Sequence, residues 1–280
     1  MKKKKLFGSI LGHGFLSVMS VIWLLPIAWL IMQSFRGEGK ATTAYIIPKT
    51  WTLDNYRKLL TETTLFNFPQ WFMNTLFVAV ISCIITTIII LLTSYAFSRL
   101  RFKLRKKMMN VVLVLGMFPA FMSMTAVYHI LKMIGLTQSL WALILVYSSG
   151  AAMSYYISKG FFDTIPYALD ESAMIDGATK NDIFWKITLP MSKPIIIYTV
   201  LTAFIAPWID FIFVSIIMRD NYKMYTVSIG LFQMLTRENI GNYFTQFCAG
   251  AVLIAIPITL LFVVMQKYYV GGITSGSVKG

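Results

Sequence analysis

Stretches without charged residues alternate with short polar segments along the whole chain. Six of the apolar stretches are long enough to supply the ~20 residues that a helix needs to cross the bilayer hydrocarbon. The predicted spans are residues 15–34, 71–97, 108–131, 133–158, 194–218 and 245–266. The pattern therefore predicts an all-α, polytopic membrane protein with six transmembrane helices.

The composition supports a membrane protein and argues against several soluble classes. Only 13% of the 280 residues are charged and 57% are hydrophobic, whereas soluble domains carry about 25% charged residues. The net charge of +14 does not indicate nucleic-acid binding, because the basic residues are divided among segments between the apolar runs. Cys83 and Cys248 both lie in apolar runs and have no spacing typical of a disulfide framework or a metal site.

The distribution of lysine and arginine predicts the orientation in the cell membrane. With a cytoplasmic N-terminus, the inside segments are residues 1–14, 99–107, 159–193 and 267–280, and they hold 16 of the 25 basic residues. This excess is the positive-inside pattern, so both termini are predicted to be cytoplasmic. The first apolar run exceeds a typical signal-peptide core and has no A-x-A-like cleavage site before Arg36, so we expect an uncleaved anchor.

A short amphipathic helix is predicted in the first outside segment, around residues 51–60. Thr52 can cap its start, Asp54 complements the helix dipole, and Leu53, Tyr56 and Leu60 share one face. We expect this helix to lie on the outer interface of the membrane. The alternative is a simple connector.

Two short helices are predicted in the inside segment between the fourth and fifth spans. Pro166 suits the first turn of a helix, and Gly177 is placed to end it as the C′ residue. Thr179 and Asp182 form a capping-box pattern that starts the second helix, which is expected to stop before Pro190. A bracket of this kind is typical of a docking element for a cytoplasmic partner, and the alternative is a loop lying on the surface.

The same segment resembles a known family signature. Glu171-Ser172-Ala173-x3-Gly177-x9-Ile187-x-Leu189-Pro190 is similar to the coupling-loop pattern E-A-A-x3-G-x9-I-x-L-P of ABC-importer membrane subunits. Every spacing matches, and the one departure, Ser172, keeps a small side chain. Similarity to the smaller membrane subunit of maltose-type carbohydrate importers extends to the segment 51–56, to Asn74-Thr75 and to the ending 272–280.

The resemblance implies a fold, a function and a set of partners. The fold is that of a type I ABC-importer permease, with residues 1–280 as one transmembrane domain. The function is uptake of oligosaccharides, most closely maltose or maltodextrin, with a raffinose-type or multiple-sugar system as the alternative. The partners are a second permease subunit, two ATPase subunits and an extracytoplasmic sugar-binding protein. Because this chain lacks a G-x-x-x-x-G-K-[ST] motif, ATP and magnesium are expected on the ATPase subunits, with no cofactor and no enzymatic activity on this chain.

Residue roles in coupling follow from the same resemblance. The helix ending at Gly177 would sit in a cleft of an ATPase subunit. Glu171 would supply a charged contact, and the small residues Ser172 and Ala173 would allow close packing. Ile187, Leu189 and Pro190 would fix the bracket against the fifth span. The cytoplasmic tail 267–280 would reach the ATPase dimer interface, the alternative being a frayed terminus.

Asp210 is the only acidic residue inside a predicted span. A carboxylate facing lipid at that depth costs about 2.5–3.5 kcal/mol on insertion scales, so such a residue usually has a function. Pro207 and Trp208 directly before it predict a kink that opens the helix locally. Asp210 is therefore expected either to line the translocation path or to make a hydrogen bond between helices.

The outside segment 219–244 contains side chains suited to contacting a polar cleft. These are Arg237, Glu238, Asn239, Asn242 and Tyr243. In the maltose-type family the corresponding loop enters the cleft of the binding protein, so these residues are expected to contact that partner. The alternative is an ordinary solvated loop.

Other membrane-protein classes fit the sequence less well. An ion-coupled secondary transporter typically has internal repeats and several polar residues within its spans, and this chain has no evident repeat and one intramembrane carboxylate. An intramembrane enzyme needs a nucleophile with a base or a set of metal ligands, and two isolated histidines without an H-E-x-x-H pattern provide neither.

Overall fold

The computed structural model describes residues 2–38, 45–150 and 152–277, and its secondary structure over these residues is helical without β-strands. The helices are α1 (Lys2–Ser34), α2 (Asp54–Thr61), α3 (Phe68–Arg99), α4 (Arg105–Met117), α5 (Ala120–Met133), α6 (Leu140–Ser149), α7 (Ala152–Asp163), α8 (Tyr167–Ile175), α9 (Lys180–Asp182), α10 (Leu189–Met191), α11 (Lys193–Ile209), α12 (Ile212–Met218), α13 (Val227–Met234) and α14 (Ile240–Ser277). A π-helical segment, Ile183–Thr188, joins α9 to α10, and a 3₁₀ turn, Tyr222–Met224, precedes α13.

Three helices in the described part of the chain are long and apolar enough to cross a membrane, and six spans result if each bent helix pair counts as one. The long ones are Ser9–Ser34, Phe68–Arg99 and Ile240–Gln266. The predicted all-α membrane fold is confirmed, but the middle spans are broken rather than continuous. α4 and α5 bend by 105° next to Pro119, which cannot donate a backbone hydrogen bond.

The predicted fifth span, residues 194–218, is likewise interrupted. α11 ends at Ile209 and α12 begins at Ile212, with Asp210 in an extended conformation between them. The residues on both sides of this break are apolar, so the hydrophobic pattern gives no sign of the change in backbone direction. A further bend of 80° separates the Lys180–Met191 segment from α11.

The chain divides into two compact units, the first of which comprises Met1–Pro69 and Gly230–Ile256. Asn55 on α2 is buried here, and its amide donates hydrogen bonds to the carbonyls of Ser34 (2.9 Å) and Arg36 (2.8 Å). Its side-chain oxygen accepts a hydrogen bond from Thr245 (3.0 Å). These bonds tie α2 to the end of α1 and to the first half of α14.

The helix predicted around residues 51–60 is present as α2, and its position on the outer interface of the membrane stays a prediction. Asn55 and Leu59 are buried, whereas Leu53 and Leu60 are exposed. Leu53 occupies the position directly before the helix, and Thr52 instead accepts a hydrogen bond from the Asp54 N–H. The face that packs inside this unit has a polar side chain, Asn55, at its centre, and an apolar pattern does not indicate such a face.

The second unit comprises Gln70–Ile229 and Pro257–Gly280. At one end of α3, the Asn74 amide donates to the carbonyls of Lys223 and Tyr225, both at 2.9 Å. At the other end of α3 lies a buried apolar cluster that joins α3, α7, the π segment and α11; its members are Leu91, Tyr95, Phe162, Ile165, Phe184 and Ile195. This cluster supports the segment that carries the coupling-loop signature.

Candidate functional site

The turn after α8 is a glycine-terminated Schellman motif. Gly177 has φ +83°, its N–H donates to the Met174 carbonyl (3.1 Å), and the Ala178 N–H donates to the Ala173 carbonyl (2.9 Å). These are the two hydrogen bonds that close a helix on a left-handed C′ residue. Residues with a side chain rarely adopt this φ, which explains why a glycine occupies the predicted C′ position.

The segment after the turn begins with the predicted capping box. The Thr179 hydroxyl oxygen accepts the Asp182 N–H (3.1 Å), and the Asp182 carboxylate accepts the Thr179 N–H (3.1 Å). Lys186 donates to the same carboxylate at 2.6 Å. The hydrogen bonds from Lys186 and Thr179 hold the pKa of Asp182 below its ordinary value, so the carboxylate that caps this helix is ionised at neutral pH.

The second helix does not stop before Pro190, contrary to the prediction. It continues through a π-helical turn, in which the Leu189 N–H donates to the Phe184 carbonyl, and it ends at Met191. Pro190 occupies the first turn of α10, where the hydrogen-bond register has already changed and its missing N–H interrupts no regular α-helical ladder. The break falls at Ser192 instead.

The residues of the coupling-loop signature divide into an exposed and a supporting group. Glu171, Ser172, Gly177 and Pro190 are exposed, and Ala173, Ile187 and Leu189 are half-buried. Leu189 packs against the buried apolar cluster that includes Ile195 of α11, whereas Pro190 is exposed, and the joint role of Ile187, Leu189 and Pro190 in fixing the bracket stays a prediction. Ile175, 86% exposed, and Trp185 add large apolar side chains to the exposed group. The bracket thus presents apolar and acidic side chains on a rigid, supported backbone.

Asp210 lies at the break between α11 and α12 and has defined partners. One carboxylate oxygen accepts the Phe213 N–H (3.0 Å), and the other accepts the Tyr147 hydroxyl (2.9 Å). The Asp210 carbonyl accepts a hydrogen bond from Ser228 (2.6 Å). The carboxylate therefore caps α12 and connects it to α6. This contact is the hydrogen bond between helices that was one of the two roles expected for Asp210.

The same carboxylate also borders a cavity of about 710 Å³ within the second unit. Its walls are mostly apolar, with hydroxyl groups at intervals: Thr86, Ser123, Ser149, Ser154 and Thr202, together with the aromatic residues Phe118, Tyr147, Tyr155 and Phe213. An apolar cavity with a few convergent polar groups is the common form of a small-molecule site. Among the described residues, Asp210 is in no ion pair within the 4 Å range.

The five residues expected to contact a binding protein are not equivalent. Arg237, Glu238 and Asn242 are exposed. The Asn239 amide donates to the Gln233 carbonyl (2.8 Å) and to the Thr236 hydroxyl (2.9 Å), so it shapes the turn. Tyr243 packs edge-on against Phe66 with ring centroids 4.8 Å apart. Three of the five are therefore free to meet a partner, and two hold the loop.

The segment 219–244 also contains more structure than a loop prediction implies. α13, with Val227, Ile229, Leu231 and Met234 buried, occupies its middle. The Val227 N–H at its start donates to the Thr75 hydroxyl at 2.9 Å. The segment also holds three basic residues and many polar ones, so the short apolar run of this helix did not stand out in the sequence.

One pair of buried charges was not foreseen from the sequence. Arg99 Nη1 lies 3.3 Å from Asp170 Oδ2, and their side chains are 2% and 7% exposed. In the sequence, Arg99 counts only as one of the positive charges of segment 99–107, and no motif includes Asp170. Burial raises the pKa of Asp170, while the charge of Arg99 opposes this shift. The two positions are far apart in the chain, so no local pattern signals the pair.

The chain is similar to permeases of several bacterial sugar transport systems. It is 36% identical to the galactooligosaccharides transport system permease protein GanQ of Bacillus subtilis, with 100% of this chain and 99% of that protein covered. It is 34% identical to the maltodextrin transport system permease protein MalD of Streptococcus pneumoniae, again over 100% and 99%. For the maltose/maltodextrin transport system permease protein MalG of Vibrio vulnificus the identity is 32%, over 92% of this chain and 91% of that protein.

Solved structures and a family model complete the comparison. The fold matches that of a chain in a bacterial ABC transporter involved in the import of the acidic polysaccharide alginate, with a TM-score of 0.79, 21% identity and coverage of 96% of this chain and 98% of that chain. The predicted permease fold and the resemblance to carbohydrate ABC-importer permeases are thus confirmed. The family model described as the binding-protein-dependent transport system inner membrane component matches residues 89–274, about two thirds of the chain. The chain belongs to this family of inner membrane components of binding-protein-dependent transport systems.

Proposed function

We propose that this chain is a permease subunit of an ABC importer for oligosaccharides and that the segment Glu171–Pro190 couples it to an ATPase partner. The observation that carries the proposal is the rigid bracket of that segment. It combines the family spacing with a Schellman turn at Gly177 and exposed side chains that no other described residue covers. Such a bracket transmits movement, because its backbone is fixed to the membrane helices at Leu189.

The proposal places the bracket on the cytoplasmic side of the membrane. The basic residues Arg101, Lys103, Lys106 and Lys107 are all exposed, and clusters of this kind remain on the cytoplasmic side. Both termini are then cytoplasmic, and the tail 267–280 points toward the ATPase side. Within the tail, residues 278–280 lie outside the described part of the chain.

The assembly in this proposal contains three kinds of partner. A second permease subunit would pair with this chain to enclose the translocation path, and two ATPase subunits would bind the brackets. An extracytoplasmic binding protein would deliver the sugar and contact Arg237, Glu238 and Asn242. A solved structure with the same fold belongs to an alginate ABC transporter in complex with a pentasaccharide-bound periplasmic protein (TM-score 0.68, 17% identity), which supports a partner of that kind.

The cavity beside Asp210 is the proposed part of the translocation path on this chain. Its volume of about 710 Å³ lies within the range of roughly 300–1,000 Å³ that is common for small-molecule sites. Its hydroxyl and carboxylate groups can form hydrogen bonds with sugar hydroxyls as these lose hydration. Its aromatic residues offer apolar faces for the C–H groups of a sugar ring. Translocation needs contacts that are weak and replaceable, and hydrogen bonds to a few scattered hydroxyl groups meet this need.

The proposed substrates are maltodextrins, with galactooligosaccharides as the second candidate because relatives of both kinds have similar identity to this chain. The test is uptake into proteoliposomes that contain the full complex with its partner chains and binding protein. ATP-dependent uptake of radiolabelled maltotriose, reduced by unlabelled maltodextrin but not by galactobiose, supports the first candidate, and the reverse pattern supports the second. Uptake that proceeds without ATP and follows an ion gradient would contradict an ABC importer and favour a secondary transporter.

A further inference from the structure

The cytoplasmic end of α3 is joined to the coupling helix α8 by the buried Arg99–Asp170 pair. Both side chains are almost fully excluded from solvent, although α8 otherwise presents an exposed surface. Asp170 directly precedes Glu171, the first residue of the coupling signature. The contact therefore connects a membrane-spanning helix to the element that is proposed to meet the ATPase.

Arg99 also holds the end of α7. Its Nη2 atom donates hydrogen bonds to the carbonyls of Phe162 (2.9 Å) and Ile165 (2.7 Å). Carbonyl groups at a helix C-terminus have no partner within the helix, and a cation there also complements the helix dipole. One guanidinium group thus contacts α7 at its end and α8 at Asp170.

Three additional contacts join the same elements, and a fourth reaches Lys180 at the start of α9. The Arg99 guanidinium lies 4.4 Å from the centre of the Tyr167 ring, at the start of α8, and the Tyr167 hydroxyl donates to the Ser98 carbonyl at 2.7 Å. Ser98 itself donates to Asp163 of α7 at 2.6 Å. The Tyr95 hydroxyl donates to the Lys180 carbonyl at 2.9 Å, on the far side of the Gly177 turn.

A buried ion pair of this kind is better suited to positioning than to stabilising. The desolvation of two charges offsets much of their attraction, and here Arg99 Nε and Nη1 and Asp170 Oδ1 have no hydrogen-bond partner, so Nη1 and Oδ2 form an ion pair without a hydrogen bond. The pair instead fixes an orientation, because the planar guanidinium group of Arg99 must face Asp170 and the carbonyls at the end of α7 at the same time. The relative placement of α3, α7 and α8 is fixed by that geometry.

We propose that Arg99 and Asp170 are positioning residues that make α8 move together with the cytoplasmic ends of α3 and α7. A displacement of the coupling helix by the ATPase then reaches the second and fourth spans directly, in addition to α11 through Leu189. This inference rests on the proposed coupling role of the segment, and it assigns a second mechanical connection to it.

The test compares variants of the full complex in proteoliposomes. The readouts are the amount of assembled complex, the ATPase rate and the number of sugar molecules imported per ATP hydrolysed. Arg99→Ala and Asp170→Asn are expected to lower the import-to-hydrolysis ratio about tenfold, the upper range for residues that carry coupling. Arg101→Ala, an exposed arginine of the same cluster, is the matched control and should leave the ratio unchanged.

Two rescue variants separate positioning from folding. Arg99→Lys keeps the charge but not the planar fork, so it should recover only part of the ratio. The exchange Arg99→Asp with Asp170→Arg restores the pair without restoring the bonds to α7, and its ratio should exceed that of either single variant. A ratio equal to the wild type in Arg99→Ala, or an exchange variant no better than the singles, would overturn the proposal.

A distance measurement covers the case in which the variants fail to assemble. Spin labels at Phe102 and Ala168, both exposed, report the separation between the end of α3 and the start of α8 in the otherwise native complex. The distance should be the same in the nucleotide-free and ATP-bound states, and a change between them would overturn the proposal. Gly177→Asp is assayed in parallel. Normal transport by Gly177→Asp would contradict the proposed coupling function itself. A wild-type import-to-hydrolysis ratio in the Arg99 variants, with transport lost in Gly177→Asp, would refute only the positioning role.

Discussion

At the scale of single residues, the carboxylate of Asp210 has two separable tasks. It accepts hydrogen bonds that join α12 to α6, and it places a negative charge beside the cavity. In Asp210→Asn the amide oxygen can still accept the Phe213 N–H, and the amide nitrogen can donate to the Tyr147 hydroxyl oxygen, so both contacts are kept with the second one reversed in direction and the charge is removed. Asp210→Ala removes both.

We expect Asp210→Asn to preserve the thermal stability of the complex while lowering sugar uptake about tenfold, since a charged hydrogen bond contributes about 1.5–3 kcal/mol. Asp210→Ala should also lower stability, because the Tyr147 hydroxyl would lose its partner. The measurement is uptake as a function of sugar concentration, with melting of the purified complex beside it. Wild-type uptake by Asp210→Asn would leave Asp210 with a structural role alone.

Residues whose partners are close in sequence were the ones that could be predicted. The Gly177 turn and the Thr179–Asp182 capping box involve backbone groups within six positions of one another, so spacing alone indicated them. The partners of Asp210 and Arg99, which are Tyr147 and Asp170, come from other helices. Their positions depend on how the helices pack, which a single sequence does not contain.

At the scale of elements, the turn between α13 and α14 contains both supporting and free side chains. Replacing residues 237–242 entirely with a Gly/Ser linker would remove the Asn239 bonds along with the exposed groups. The sharper variant is Arg237→Ala with Glu238→Ala and Asn242→Ala, which leaves Asn239 in place.

This triple variant should assemble normally and retain its basal ATPase rate. Stimulation by the sugar-loaded binding protein should become weaker, because contacts that favour the outward-facing state would be lost. The measurement is ATPase activity in nanodiscs titrated with loaded binding protein, with Asn239→Ala assayed separately for its effect on the turn. Full stimulation with an unchanged half-saturation point would remove this loop from the mechanism.

Element boundaries were predictable where the apolar pattern ends and not where the backbone bends within it. The C-terminal end of α1 and both ends of α3 follow the charge-free runs closely, whereas α1 begins at Lys2, within the lysine run. The breaks at Pro119, Gly150 and Asp210 fall inside apolar runs. Hydrophobicity reports depth in the membrane, and it does not report whether the backbone continues in a straight line.

At the scale of the whole molecule, much of the apolar surface is left uncovered by this chain. The spanning part of α1 is exposed along its length, with none of its most apolar window buried. Within a bilayer this surface contacts lipid or another chain, as expected for a subunit of a larger membrane complex. Composition and span count were sufficient to predict this class of protein, whereas the assignment to an importer depended on the coupling segment.

The most direct test of the account is therefore a change at Gly177 in the reconstituted complex. A Cβ atom there would meet nothing within 4 Å, although φ +83° strains any residue with a side chain, and Asp and Asn tolerate a positive φ better than other side chains and to a similar degree. Gly177→Asp and its neutral counterpart Gly177→Asn should thus both keep the turn, while Asp adds a negative charge to the docking surface. ATP-dependent uptake by Gly177→Asp should be abolished while the complex stays intact, and uptake by Gly177→Asn should be only partly reduced. Near-normal uptake by Gly177→Asp would contradict the coupling role of this segment.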